Sequence, residues 1–394
     1  MNLAILSKEV LAYLQAKRAT DPAALALAAS PFDKVSPSEL ARQLDGYQRA
    51  SKKIPALVAH AALYYPDKLN LEQSSSTETG LFKASLIKPN KSLIDLTGGF
   101  GIDSYYFATV SKQVTHCELN SSLSEIVQHN FESLGVKNVD FHSGDGIAYL
   151  AASQKDYDYC FIDPSRRVKA QKVFRLEDCE PNLVAEQDLL LRKAPVIISK
   201  LAPLLDISLA LKSLKHVRDV YVISMQHDCK ELLFIQERGF SGEPKIHAVQ
   251  LHKEASAKVF SFSMEAERIA TPNYSEPLDY LYEPDVALSK AGAFKSIATR
   301  FDLHKIQQHT HLYTSVKLVE SFIGKVFKIT AVQALSYFKK HNKIAKANII
   351  SKNFPLKVDE IRKKYKLKDG GANYLFFCTQ ADDTLIVIQA ERIA

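Results

Sequence analysis

The stretch from Ser92 to Glu237 constrains the fold most, because short apolar runs alternate there with segments of helical spacing. Ser92–Leu96, Val114–Glu118, Val139–His142, Tyr157–Asp163 and Pro195–Lys200 read as strands. Between them, Ser121–Leu134 carries Leu123, Ile126, Val127, Phe131 and Leu134 at helical spacing. Gly146–Ala152, Asn182–Lys193 and Leu204–Leu214 also read as helices. Strands joined by helical crossovers run parallel, and their helices cover both faces of the sheet. The last two strand candidates, Val217–Met225 and Leu232–Glu237, are separated only by Gln226–Glu231. That gap is too short for a crossover, so the closing pair must be antiparallel. The expectation is an α/β fold with a seven-stranded sheet, parallel except for an antiparallel last strand.

The flanks differ in character. Residues 1–71 are rich in Ala and Leu, with helix-start signals at Asp21-Pro22 and Ser36-Pro37, and read as a helical N-terminal region. Beyond Val286 the chain holds 19 Lys and Arg against 8 Asp and Glu, although the whole chain sums to only +7. Its apolar residues remain interleaved, and Tyr374–Phe377 and Leu385–Ile388 read as strands, so this part is a small basic α+β domain. A basic end joined to a slightly acidic body points to two parts with different partners. With 394 residues, two or three domains are expected.

Several function classes are excluded. The 46% hydrophobic and 24% charged content rules out a wholly disordered or collagen-like chain. The five cysteines are scattered, with no Cys-x-x-Cys pair and no Cys at ligand spacing from a His, so they read as reduced thiols. His304, His309 and His311 have no acid or Cys at ligand spacing and read as ordinary polar histidines, so no metal is expected. No apolar run reaches the ~20 residues of a membrane span. The N-terminus meets Lys8 and Glu9 before any long apolar stretch, unlike a signal peptide. A soluble cytoplasmic protein without membrane contact is the expectation; the oligomeric state is not legible.

The chemistry gathers at strand ends. Leu93-Ile94-Asp95-Leu96-Thr97-Gly98-Gly99-Phe100-Gly101-Ile102-Asp103 follows a strand and opens a helix, so its backbone can approach a ligand. Asp95 is an acceptor there and suits an ammonium better than a pyrophosphate. The second strand ends in Cys117-Glu118-Leu119-Asn120, where a carboxylate can accept from both hydroxyls of a ribose. Ser143-Gly144-Asp145-Gly146 ends the third strand, where a carboxylate can accept from an adenine amino group. Phe161-Ile162-Asp163-Pro164-Ser165-Arg166-Arg167 ends the fourth. Each acid alone reads as a loop cap; four at successive strand ends are hard to explain by capping.

These residues resemble the class I S-adenosylmethionine-dependent methyltransferases, whose sheet is Rossmann-like, over roughly Glu72 to Phe240. The resemblance implies S-adenosyl-L-methionine as cofactor. It implies cofactor contacts from Asp95, Thr97, Gly99, Gly101, Glu118, Leu119, Asp145 and Gly146. Ser75-Ser76-Thr77-Glu78-Thr79 resembles the loop before that motif in RNA methyltransferases of the trimethylguanosine-synthase kind, which adds Thr77. Methyltransferases acting on exocyclic amines carry Asp/Asn-Pro-Pro-aromatic at the fourth strand. Here Asp163 and Pro164 match as catalytic candidates, while Ser165 and Arg166 depart from that pattern.

Asp163 can still orient an amine. Arg166 and Arg167 are candidate clamps for a substrate phosphate or carboxylate, or they pair with Glu177 or Asp178. Lys200 ends the fifth strand and faces substrate or pairs with Asp163 or Asp206. As a set, Glu72-Gln73-Ser74-Ser75-Ser76, the Asp95 loop, the Asp163 motif, Lys200-Leu-Ala-Pro-Leu-Leu-Asp206 and Cys229-Lys230-Glu231-Leu232 are similar to a particular bacterial group. These are class I methyltransferases with a ferredoxin-like segment and a C-terminal THUMP-like domain. Tyr282–Ser315 and the final Asp369-Gly-Gly-Ala-Asn-Tyr374 extend the likeness.

The domains expected are a helical region (1–71), a methyltransferase domain (72–265), a ferredoxin-like segment (278–321) and a basic THUMP-like domain (322–394). The resemblance implies RNA, rRNA or tRNA, as substrate, docked by the basic domain. Tyr337, Phe338, Phe354 and Tyr365 interleave its lysines as candidate stacking groups. Two other readings stay open: a methyltransferase for a protein or small acidic molecule, and a non-catalytic RNA-binding protein that keeps the fold.

Overall fold

A computed structural model describes residues 1–60, 62–166, 176–253 and 255–393. The chain divides into two compact units, Met1–Arg218 with Leu233–Ser241, and Asp219–Leu232 with Gly242–Ala394.

The first unit opens with helices, among them Lys8–Ala16, Pro22–Leu27, Pro37–Lys53 and Lys68–Gln73. Their starts follow from local chemistry. Asp21 accepts from the Ala23 amide at 3.0 Å ahead of Pro22. Ser36 and Glu39 form a reciprocal capping box around Pro37, which leaves fewer amides at that helix end unpaired. Ile5, Val10, Leu25, Val35, Leu40, Leu44 and Tyr64 form the core of this region.

The sheet of the first unit contains β1 (Ser92–Asp95), β2 (Gln113–Glu118), β3 (Val139–Ser143), β4 (Tyr159–Ile162) and β5 (Val196–Leu201). Neighbours pair in parallel, β1 with β2 and β4, β2 with β3, and β4 with β5. Every residue of β4 is buried, as a strand covered on both faces requires. β6 (Val217–Met225) and β7 (Asp228–Glu237) are each divided between the two units. Gln226 and His227 join them with φ of 55° and 60°, a two-residue hairpin turn that makes the pair antiparallel. The strand order in the first unit is β7-β5-β4-β1-β2-β3.

In the second unit β8 (Lys245–Leu251) runs parallel to β6, and β9 (Lys258–Ser263) runs antiparallel to β8. Both segments also read as β-like runs in the sequence, beyond the seven strands expected of the sheet. A second sheet follows, made of β10 (Tyr280–Pro284), β11 (Tyr313–Ser315), β12 (Gly324–Ala334), β13 (Asn348–Lys352), β14 (Asn373–Thr379) and β15 (Leu385–Arg392), with the two-residue strand His304–Lys305 paired beyond β11 at its edge. Their order is β11-β10-β12-β15-β14-β13, and β13 and β14 run parallel. Alternate residues of β14 and β15 serve opposite faces. Phe376, Cys378, Ile386 and Ile388 join Leu281 and Phe327 on one side. Leu375, Phe377 and Val387 join Phe338 and Ile361 on the other, under helices Leu335–His341 and Val358–Tyr365. No helix among the described residues is long and apolar enough to cross a membrane.

Candidate active site

Parallel strands end at one sheet edge, and hydrogen bonds tie four of those ends into a continuous belt. The Leu96 amide donates to the Phe161 carbonyl at 3.0 Å, joining the ends of β1 and β4. The Gly98 amide donates to the Cys117 carbonyl at 2.7 Å, and the Gly99 amide donates to Glu118 Oε2 at 2.8 Å. The Gly144 amide donates to the Glu118 carbonyl at 2.9 Å. The Asp163 amide donates to Thr97 Oγ1 at 2.7 Å. Thr97, Gly99, Glu118 and Asp163 are therefore brought together, as their positions at strand ends indicate.

The three glycines of the loop do different things. At Gly98 a Cβ would sit 2.0 Å from His116 Cε1, and at Gly101, with φ of +77°, one would sit 2.6 Å from Val127 Cγ1. Those two glycines permit close packing. Gly99, with φ of +56°, has nothing nearer than the Thr97 carbonyl oxygen at 3.9 Å, so its surroundings are open. Gly146 is buried, and a Cβ there would meet the Leu96 carbonyl oxygen at 2.4 Å, so it packs beneath the belt.

The acids also divide. Glu118 is half-buried, and its second oxygen accepts from the Asn120 amide at 2.8 Å. Beside it Leu119 is 75% exposed, a large apolar side chain left in water. Asp145 caps helix Gly146–Ala152 through Oδ1, which accepts from Ile147 and Ala148. Its Oδ2 accepts no hydrogen bond among the described residues. Thr77 is half-buried at the start of helix Thr77–Ser85, and its hydroxyl accepts from Tyr106 at 3.1 Å.

Asp95, expected as an ammonium acceptor, is only 1% exposed. Its oxygens accept from the Thr97 amide at 3.1 Å and the Ser104 hydroxyl at 2.6 Å. Burial pushes its carboxyl up to about 7. The Ser104 hydroxyl also lies 2.9 Å from His116 Nδ1, and burial lowers that imidazole to about 4. Asp95, Ser104 and His116 thus form a buried polar chain beneath the loop. Periodicity does not reveal it, since a polar residue inside a strand looks like any solvent-facing one.

A second network was equally hidden. Lys83, fully buried, donates to Ser75 Oγ at 2.8 Å and lies 3.1 Å from Asp103 Oδ1. Ser75 donates to Asp103 Oδ2 at 2.8 Å. The polar stretch before β1 is in this way fastened to the end of the Gly-rich loop, with its buried charges paired.

At β4, Asp163 is ion-paired with Lys200. The reason is register: Ile162 lies opposite Ser199, which sets Lys200 beside Asp163. Asp206, the other partner considered for Lys200, instead caps helix Ile207–Ser213. Lys200 is therefore paired with a carboxylate at the site, one of the two partners that the sequence offers it. Asp163 keeps 34% of its side chain exposed and uses only Oδ2 in that pair. Pro164 behind it is buried. The Arg166 backbone pairs with Cys179 in a short antiparallel ladder, while its side chain and all of Arg167 lie outside the described residues.

In the second unit Lys339, Lys340, Lys343, Lys346, Lys363, Lys364, Lys366 and Lys368 are exposed, and none is ion-paired among the described residues. Two lysine-bearing loops run side by side. The Ala347 amide donates to the Lys368 carbonyl at 2.9 Å, and the Lys368 amide donates to the Ala345 carbonyl at 2.8 Å. Of the candidate stacking aromatics, Tyr337 is exposed, but Phe338 is buried and Phe354 and Tyr365 pack against the same core. Those three serve the fold, which corrects their reading as stacking groups.

Residues 280–322 match a family described as a ferredoxin-like domain, and residues 324–392 one described as THUMP domain-like. A crystal structure from Porphyromonas gingivalis W83 that bears a provisional methyltransferase name is 31% identical. Its TM-score is 0.87, covering 98% of this chain and 99% of that one. A curated relative from Mycoplasma mobile, named an uncharacterized RNA methyltransferase, is 32% identical over 93 residues. That match covers 24% of this chain and 26% of the relative, so the chain spans about a quarter of that protein's length. Near-complete likeness to the first, with both C-terminal matches in the order the sequence indicates, means that the chain belongs to the class I methyltransferases carrying a ferredoxin-like segment and a THUMP-like domain.

Proposed function

We propose that the protein transfers a methyl group from S-adenosylmethionine to an RNA nucleotide. The observation that carries this reading is the belt of strand ends, which fixes Gly99, Glu118 and Asp163 against one another. The residues present fit the cofactor. The open backbone at Gly99 admits close approach, and Glu118, with each oxygen held by one backbone amide, keeps lone pairs to accept from a diol. Leu119 offers an apolar face to a base, and Asp145 Oδ2 is an unused acceptor for an amino group. Asp95 acts indirectly, by holding the Thr97 amide and hence the loop.

When bound, S-adenosylmethionine supplies an electrophilic methyl on a cationic sulfonium, so catalysis rests largely on positioning. Lys200 holds Asp163 in place through Oδ2 and leaves Oδ1 to accept from the N–H of a substrate amine. RNA is favoured as substrate by the name of the Mycoplasma mobile relative, the THUMP-like match and the exposed lysines that have no ion pair among the described residues. Phosphate contacts need such cations, and each contributes to salt-dependent affinity.

Mass spectrometry of RNA from cells with and without the protein should reveal one methylated nucleotide that depends on it. Asp163→Ala should abolish that mark while calorimetry still detects S-adenosylmethionine. A wild-type protein that fails to bind S-adenosylmethionine overturns the reading, as does an RNA methylation profile unaltered by its loss.

A further inference from the structure

The helical N-terminal region forms a cavity of about 340 Å³, partly open to solvent and lined in part by Leu14, Arg18, Leu44, Tyr47, Leu63 and Tyr65. Its construction begins at Gly46 in helix Pro37–Lys53, where a Cβ would lie 2.3 Å from Tyr65 Cβ. Glycine allows the Tyr65 segment to lie directly on the helix. Gln43 locks it there: its amide donates to the Tyr65 carbonyl at 2.8 Å, and its oxygen accepts from the Tyr65 amide at 2.9 Å. The adjacent Tyr47 and the clamped Tyr65 thereby share one wall.

Arg18 completes the polar end. Its guanidinium lies 4.3 Å from the centre of the Tyr47 ring, and Gln48 fixes its turn by donating to the Arg18 and Thr20 carbonyls. Among the described residues no carboxylate pairs with Arg18, and neither the Tyr47 nor the Tyr65 hydroxyl makes a hydrogen bond. Burial pushes the Tyr65 phenol up, although Arg18 is near enough to pull it down, so it remains a donor at physiological pH. The guanidinium of Arg18, an exposed residue, and the Tyr47 and Tyr65 side chains therefore line a cavity of mixed character with Leu14, Leu44 and Leu63, and of the three donors only Arg18 is charged.

We propose that this cavity binds a small organic monocarboxylate with an apolar body. Guanidinium recognises a carboxylate through two parallel hydrogen bonds, and the phenols supply neutral donors for its remaining lone pairs. A single cation balances a monoanion and leaves a phosphate dianion half-neutralised. The Leu14, Leu44 and Leu63 side chains suit an aliphatic or aromatic body, and the volume is that of a small-ligand site. Its lining includes none of the residues placed in the candidate active site.

The test uses the full-length protein with octanoate and 3-phenylpropionate as probes, and octan-1-ol and octylamine as controls. Calorimetry and thermal unfolding should show saturable binding and stabilisation by at least one carboxylate, and much weaker effects from the alcohol and amine. Arg18→Ala should weaken carboxylate binding at least ~10-fold, the scale expected for losing charge-assisted hydrogen bonds, with ligand-free melting unchanged. Tyr47→Phe should weaken it less. Equal binding of octan-1-ol, undiminished binding by Arg18→Ala, or no saturable binding of either carboxylate would overturn the proposal.

Discussion

The buried chain Asp95–Ser104–His116 gives the residue scale its clearest consequence. Asp95 titrates near 7 in the folded protein because burial disfavours its charge, against an ordinary value of 3.8. Between those values the folded state holds more protons than the unfolded one, so this contribution to stability falls as pH rises through the window. His116 has the opposite sign. Its folded value of about 4 lies below 6.5, so its contribution is lost as pH falls through that range. Asp95→Asn removes the first effect and leaves the second. Relative to wild type, the variant should gain up to about 1.4 kcal/mol per pH unit between pH 4.5 and 6.5. Denaturant unfolding across that range measures it, and a pH-independent difference would refute a buried, protonated Asp95.

At the scale of elements, the loop between β1 and helix Ile102–Ala108 separates packing from binding. Gly98 and Gly101 have neighbours within 2.6 Å of where a Cβ would stand, and Gly99 does not. Gly98→Ala and Gly101→Ala should each destabilise the fold by about 1–3 kcal/mol or more, the cost of overpacking a closed site. Gly99→Ala should cost only about 1 kcal/mol for its left-handed backbone, yet reduce S-adenosylmethionine affinity by placing a methyl where the ligand backs onto the chain. Urea melts and calorimetry separate the two effects. If Gly99→Ala binds normally, the cofactor does not approach that backbone. Glu118, Asp145 and Asp163 were legible in the sequence because a parallel strand delivers its last residues to one edge. Lys83 and His116 were not, since their partners lie eight to twenty residues away on other elements and no periodicity encodes that pairing.

For the whole molecule, the charge segregation seen in the sequence survives folding as exposed lysines on adjoining loops of the second unit, without ion pairs among the described residues. Replacing Lys343, Lys346, Lys366 and Lys368 by Ala should lower the slope of log affinity for RNA against log salt by up to about 3. S-adenosylmethionine affinity should stay unchanged in the same variant. An unaltered slope would assign these lysines to solubility. Side-chain changes are the suitable probe, because deleting everything beyond Pro284 would cut through the second compact unit, which already includes residues from Asp219 onward.

The sequence by itself determined the strand–helix alternation, the antiparallel closing hairpin, the acids at strand ends and the basic C-terminal part. Each of these depends on local periodicity, chain length between elements, or composition. Tertiary structure decided what the same residues do. Register placed Lys200 against Asp163, close packing turned Gly98, Gly101 and Gly146 inward, and burial withdrew Asp95 from solvent while leaving Asp145 in it. Those outcomes depend on distances between segments remote in the chain, and on the free energy of removing a charge from water, neither of which a local pattern can express.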